Sequence, residues 1–177
     1  VAAEFDSTGG LIAHYVHGYG LVSQGLSATD RSYYTFDALG STTEMTGGSG
    51  GVLNSYSYDP FGQTVTRMET VNNRFLLDGQ DGVTEEFAGT YHMRARSYDA
   101  QLGRFLSMDP AQVLGGDLNL YRYVGNAPTR AVDPSGQFLF AGAFAGGLIG
   151  GGMGAGAYLL THMGDFQSGN VNWGEFW

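Results

Sequence analysis

The 177-residue chain has no cysteine and no lysine. Without thiols it can form neither a disulfide nor a thiolate metal site, and cysteine usage leaves its redox compartment open. Its eight bases are all arginine, set against 17 acids, for a formal net charge of −9. A field of that sign repels phosphate backbones, so no nucleic-acid partner is expected. Charged residues make up only 14% of the chain and aromatics also 14%, a balance that favours a buried core over disorder. No glycine cluster is followed by Lys-Ser or Lys-Thr, which excludes a phosphate-binding loop, and no serine occupies a nucleophile elbow. No helical stripe of about twelve residues or more precedes Gln137. The chain begins at Val1 without a secretory leader pattern, and is expected to be a fragment or a processed product.

What is present has an all-β texture. Short runs rich in Tyr, Val, Thr and Phe alternate with turn residues. Strands are predicted over residues 11–19, 33–37, 52–58, 64–68, 74–77, 90–98 and 118–124. Breakers such as Gly47-Gly48-Ser49-Gly50-Gly51, Asp59-Pro60-Phe61-Gly62 and Asp78-Gly79 separate them. Glycine is abundant, at 30 residues, but without the strict triplet period of collagen.

An aromatic shortly before an aspartate recurs, in Tyr34-Thr35-Phe36-Asp37, Tyr56-Ser57-Tyr58-Asp59 and Ser97-Tyr98-Asp99. The aspartates are 22 and 40 residues apart, one and nearly two units of about twenty residues. Such a unit is one hairpin, which cannot bury its own face, so stacked neighbours must close the core. The aromatic would face inward and the aspartate would end the strand, accepting N–H bonds in a turn.

The remaining polar clusters carry little chemistry. Asp78, Asp81, Glu85 and Glu86 form an acidic loop without the ligand spacing of a calcium-binding EF-hand. His14 and His17 lie at i, i+3 in a predicted strand, where they face opposite sides, which argues against zinc. His92 lies between strand aromatics and is expected to be packed. No metal and no cofactor is expected.

Several longer runs identify a family. They are Tyr33-Tyr34-x-x-Asp37-x-Leu39-Gly40-Ser41-Thr42, Tyr56-x-Tyr58-Asp59-Pro60-Phe61-Gly62 and Tyr91-His92-Met93-Arg94-Ala95-Arg96-Ser97-Tyr98-Asp99, running on through Gly103-Arg104-Phe105 to Asp109-Pro110. Asn119-Leu120-Tyr121-x-Tyr123-Val124-Gly125-Asn126-x-Pro128 and Val132-Asp133-Pro134-Ser135-Gly136 complete the set. Together they resemble the RHS repeat-associated core domain of YD-repeat proteins, found in bacterial Rhs toxins and in the C subunit of ABC toxin complexes. The resemblance implies a YD-repeat β-hairpin ribbon that spirals into a hollow shell, here as a fragment, with the core domain closing it. It further implies that the core severs its own chain to free a C-terminal cargo. By that resemblance Asp109 and Asp133 match the acidic pair of an intramolecular aspartyl-type protease and Arg96 the supporting arginine, with the cut between Gln137 and Phe138. Gln137 stands where the family usually has Leu, and Ala111-Gln112 where many members place a Gly.

Carboxylate-driven peptide hydrolysis needs two acids close together, one ionised to activate water and one protonated to donate. An adjacent arginine orients an ionised carboxylate, and tethering spares the cost of gathering the reactants. Asp-Pro is also an ordinary turn opener. The expected organisation is a preceding β repeat over 1–32, the core over 33–137, a Gly/Ala-rich apolar segment over 138–163 and a polar-aromatic tail over 164–177. Residues 138–160 are uncharged and long enough for a membrane span, but their eight glycines disfavour it. Expected partners are the remainder of the chain's own shell or neighbouring copies, on a bacterial cell surface or secreted. The alternative to self-cleavage is a non-catalytic extracellular structural or filament-forming β protein, whose tail packs into a neighbouring copy. A third reading is a membrane-anchored fragment.

Overall fold

The alternation of aromatic and turn residues folds into two antiparallel sheets in the computed structural model, which describes residues 3–27, 30–110 and 118–137. The first sheet holds β1 (Ala3–Phe5), β2 (Leu11–His17), β3 (Leu21–Gly25), β4 (Arg31–Phe36), β5 (Thr42–Gly47), β6 (Val52–Tyr58) and β7 (Thr64–Glu69), each beside its sequence neighbour. The second holds β8 (Thr84–Phe87), β9 (Thr90–Met93), β10 (Arg96–Asp99) and β11 (Arg104–Phe105), also in sequence order. Both sheets are open, and neither forms a closed barrel among the described residues. No helix among the described residues is long and apolar enough to cross a membrane. Phe138, the apolar segment 138–163 with its membrane reading over 138–160, and the tail 164–177 lie outside the described residues.

Aspartates end the hairpins as their spacing predicts. Asp37 Oδ1 accepts the N–H groups of Leu39 and Ser41 at 2.9 Å each, and Asp59 Oδ1 those of Phe61 and Gln63 at 2.9 Å each. Asp6 makes the same turn, accepting from Thr8 and Gly10 at 2.8 Å. Gly9, Gly40 and Gly62 each follow three residues later at φ of 84°, 85° and 87°, a backbone that excludes most side chains. Asp6, directly after Phe5, fits both the aromatic-before-aspartate pattern and the Asp-x-x-Gly spacing, although it is not among the three units named above.

Three predicted strands are corrected. Residues 74–77 form no strand, because amides and side chains from outside the segment satisfy its backbone. Thr42 donates its N–H to the Leu76 carbonyl and its hydroxyl to the Phe75 carbonyl, Glu85 donates its N–H to the Arg74 carbonyl, and Asn73 Oδ1 takes the Phe75 N–H. Residues 90–98 form two strands: Arg94 turns left-handed at φ 48°, so Met93 pairs with Arg96 across a two-residue turn. Residues 118–124 are turns with one isolated bridge, Arg104 to Arg122. Strands β1, β3, β5, β8 and β11 are not predicted: β3 and β5 hold no aromatic, β1 and β8 hold one only at a strand end, and β11 is two residues long.

The main core gathers Tyr56, Leu76, Val83, Tyr91, Met93, Tyr98, Phe105 and Tyr123. Tyr98, Phe105 and Tyr123 form a triangle of rings with centroids 4.2 to 5.7 Å apart. A second cluster of Ala13, Tyr15, Leu21 and Phe75 lies under Tyr34 and Phe36. Tyr56 and Tyr98 of the recurring units face inward and Tyr34 is half-buried. His92 is exposed rather than packed: β9 alternates, and Tyr91 and Met93 take its inner face.

Candidate functional site

Arg96 opens β10, two residues before the buried Tyr98, and strand alternation sends both side chains into the core. Its guanidinium lies on the Phe105 ring, 3.5 Å from the centroid. Nη2 is 3.0 Å from Asp109 Oδ2 and 3.3 Å from Asp133 Oδ2. Nη1 donates to the Leu120 carbonyl at 3.2 Å, and Nε donates to the Gly136 carbonyl. One arginine thus gathers two carboxylates and two carbonyls from three later segments. Side-chain exposure is 1% for Arg96, 11% for Asp109 and 2% for Asp133.

Each acid is fixed by its own backbone. Asp109 follows β11, and its N–H donates to the Leu120 carbonyl at 2.9 Å. Asp133 opens the turn that Asp-Pro predicts: its carbonyl accepts the Gly136 N–H at 3.1 Å. Its Oδ1 accepts the Ser135 hydroxyl at 2.8 Å and the Gln137 N–H at 3.2 Å. The turn is strapped to the β9–β10 hairpin, where Ala95 N–H donates to Ser135 and Arg94 donates to Pro134 and to Asp81. Gly136 has φ 64°, and a Cβ there would stand 2.3 Å from the Met93 carbonyl oxygen, so no larger residue fits.

The electrostatics are those of a buried, mixed-charge cluster. Burial pulls Arg96 below its ordinary value, while the charges of Asp109 and then Asp133 work against that pull. A guanidinium stays charged even so. The Gly136–Gln137 peptide is held at both ends, its carbonyl by Arg96 and its N–H by Asp133. Two carboxylates on one cation beside a clamped peptide supply groups for general acid and general base work.

The structure therefore brings together Arg96, Asp109, Asp133 and Gln137, although the two acids are 24 residues apart in sequence. Asp78 is a departure. The sequence places it in an acidic loop, yet it is 0% exposed, and its acid is pushed up to about 8, first by burial and then by Asp81. Among the described residues no group of three or more His, Asp or Glu side chains could hold a metal ion.

A family model described as Teneurin YD-shell matches residues 1–129. The chain is 30% identical over 149 residues to salivary gland surface protein 1 of Aedes aegypti, a match covering 78% of this chain and 4% of that protein. It is 34% identical over 137 residues to the tRNA3(Ser)-specific nuclease WapA of Bacillus spizizenii, covering 72% of this chain and 6% of that one. Toxin subunit YenC1 of Yersinia entomophaga is 35% identical over 113 residues, 62% of this chain and 11% of the subunit. The crystal structure of TcdB2-TccC3 superimposes with a TM-score of 0.61 at 24% identity, over 76% of this chain and 7% of that one, a likeness of fold. The chain spans 4% to 11% of the length of these sequence relatives.

Proposed function

The chain belongs to the Teneurin YD-shell family, within the RHS/YD-repeat proteins related to ABC toxins, and from that membership we propose that it is the C-terminal core of a longer YD-repeat protein that severs its own chain after Gln137. The observation that carries the reading is the meeting of Asp109 and Asp133 on one nitrogen of Arg96, with the Gly136–Gln137 peptide clamped beside them. One carboxylate takes a proton from a water that attacks the Gln137 carbonyl carbon. The other acid gives its proton to the Phe138 nitrogen as the C–N bond breaks, leaving a carboxylic acid on Gln137 and a free amine on Phe138. Arg96 keeps the two acids in register. The core over 33–137 closes the shell built by its own preceding repeats, and the segment after Gln137 is the released part. A secreted or cell-surface location is supported by relatives named as a surface protein and as toxin subunits.

A second reading, a non-catalytic structural β protein that packs against neighbouring copies, is favoured by the open edges at β1 and β7. Intact mass of the purified protein separates the two. Self-processing predicts a product ending at Gln137, abolished by Asp133→Asn and by Asp109→Asn. One uncut mass for the wild-type protein would leave the structural reading.

A further inference from the structure

Asp78 takes no part in the contacts described above, yet its turn is joined to the site's turn by Arg94, which donates to the carbonyls of both Asp81 and Pro134. It precedes the 3-10 turn Gly79–Asp81, in left-handed backbone at φ 51°. It is fully buried, and neither carboxyl oxygen has a hydrogen-bond partner. Its main chain is tied down: the N–H donates to the Ser41 hydroxyl at 3.2 Å, and the carbonyl accepts from Asp81 at 3.3 Å and Val83 at 3.4 Å.

The charged groups that bear on Asp78 come from three segments: Asp81 from its own turn, Arg94 from the β9–β10 hairpin and Asp133 from the site. The Tyr123 hydroxyl feels both Asp78 and Asp133, and accepts a backbone hydrogen bond from Asp133. The β4–β5 turn presents Gly40 and Ser41, which carry no charge. An ionised carboxylate without a donor is costly in such a place. A second negative charge near Asp133 would also repel that carboxylate and work against its hold on Arg96.

We infer that Asp78 is a positioning residue for Asp133, a third, buried carboxyl that must stay uncharged for the Asp109–Arg96–Asp133 arrangement to hold. Its elevated ionisation, at about 8, agrees with that role. The inference rests on the self-processing reading.

The test follows cleavage by intact mass during refolding, from about pH 6 to about pH 9, for wild type and Asp78→Asn. The wild-type rate is expected to fall about tenfold per pH unit once Asp78 ionises. Asp78→Asn, fixed in the neutral form, is expected to hold its rate across the range. An equal alkaline fall in both proteins overturns the assignment. A second measurement does not depend on cutting: in an Asp109→Asn background, the Asp133 carboxyl carbon resonance should inflect near pH 8 and lose that inflection when Asp78→Asn is added. No inflection in the parent overturns the role. If the wild type stays uncut at every pH, self-processing fails, and the resonance still decides whether Asp78 acts on Asp133.

Discussion

Between Ala3 and Glu69 each strand pairs with the strands next to it in sequence, and aspartates close three of the turns. Between residues 70 and 137 the strands are two to four residues long, and side chains tie much of the backbone. The first region buries neutral polar groups with full partners, as at Asn54, whose amide donates to Tyr56 and Val71 and accepts from Thr70 and Val71. The second buries charge, on Arg96, Asp109 and Asp133, and leaves the Asp78 carboxyl unpartnered. The contrast teaches where long-range dependence is concentrated: the repeating scaffold closes its turns locally, through Asp6, Asp37 and Asp59, while the segment that interrupts the repeat depends on a few long-range bonds.

Four substitutions sharpen that contrast. Arg96→Met should have the largest effect, since it strands two buried carboxylates. A loss of about 3–5 kcal/mol is expected in denaturant unfolding followed by circular dichroism, and a loss under about 1 kcal/mol would show that charge does not hold the cluster. Asp78→Asn should act in the opposite sense. The folded protein keeps the Asp78 proton up to about pH 8, whereas the unfolded chain releases it near 3.8. The folded state therefore binds more protons between those values, and wild-type stability falls as pH rises through the window. The gain from Asp78→Asn should be near zero below pH 4, grow as the pH rises towards 8 and level off above it.

Asn54→Ala tests the sheet in its own terms. It removes a fully bonded buried amide and is expected to cost about 2–3 kcal/mol, independent of pH, in the same unfolding assay. Asp37→Ala should be mildest, at about 1 kcal/mol, because solvent replaces the carboxylate at an exposed turn. If Asp37→Ala cost as much as Arg96→Met, the division between the two regions would collapse.

The same division decides what the sequence made legible. Strand β6 is read to the residue, and the turns at Asp37, Asp59 and Asp99 follow from their spacing, because hairpin chemistry is local. The path of residues 74–77 is not, because hydrogen bonds to it come from Thr42, 33 residues before Phe75. Arg96, Asp109 and Asp133 were named by family resemblance, not by periodicity or charge. Their convergence depends on folding across 37 residues, which no local pattern encodes. Asp78 went unrecognised as buried because Asp-Gly is an ordinary surface-turn signal.

The order of pairing also sets an order of assembly. Each hairpin from β1 to β7 needs only residues already joined to its predecessor, so the scaffold can build up from the N-terminal side as the polypeptide emerges. Arg96 must wait, since its contacts to Leu120, Asp133 and Gly136 lie 24, 37 and 40 residues downstream. The cluster thus works as a completion check: it cannot come into being until synthesis has passed Gly136.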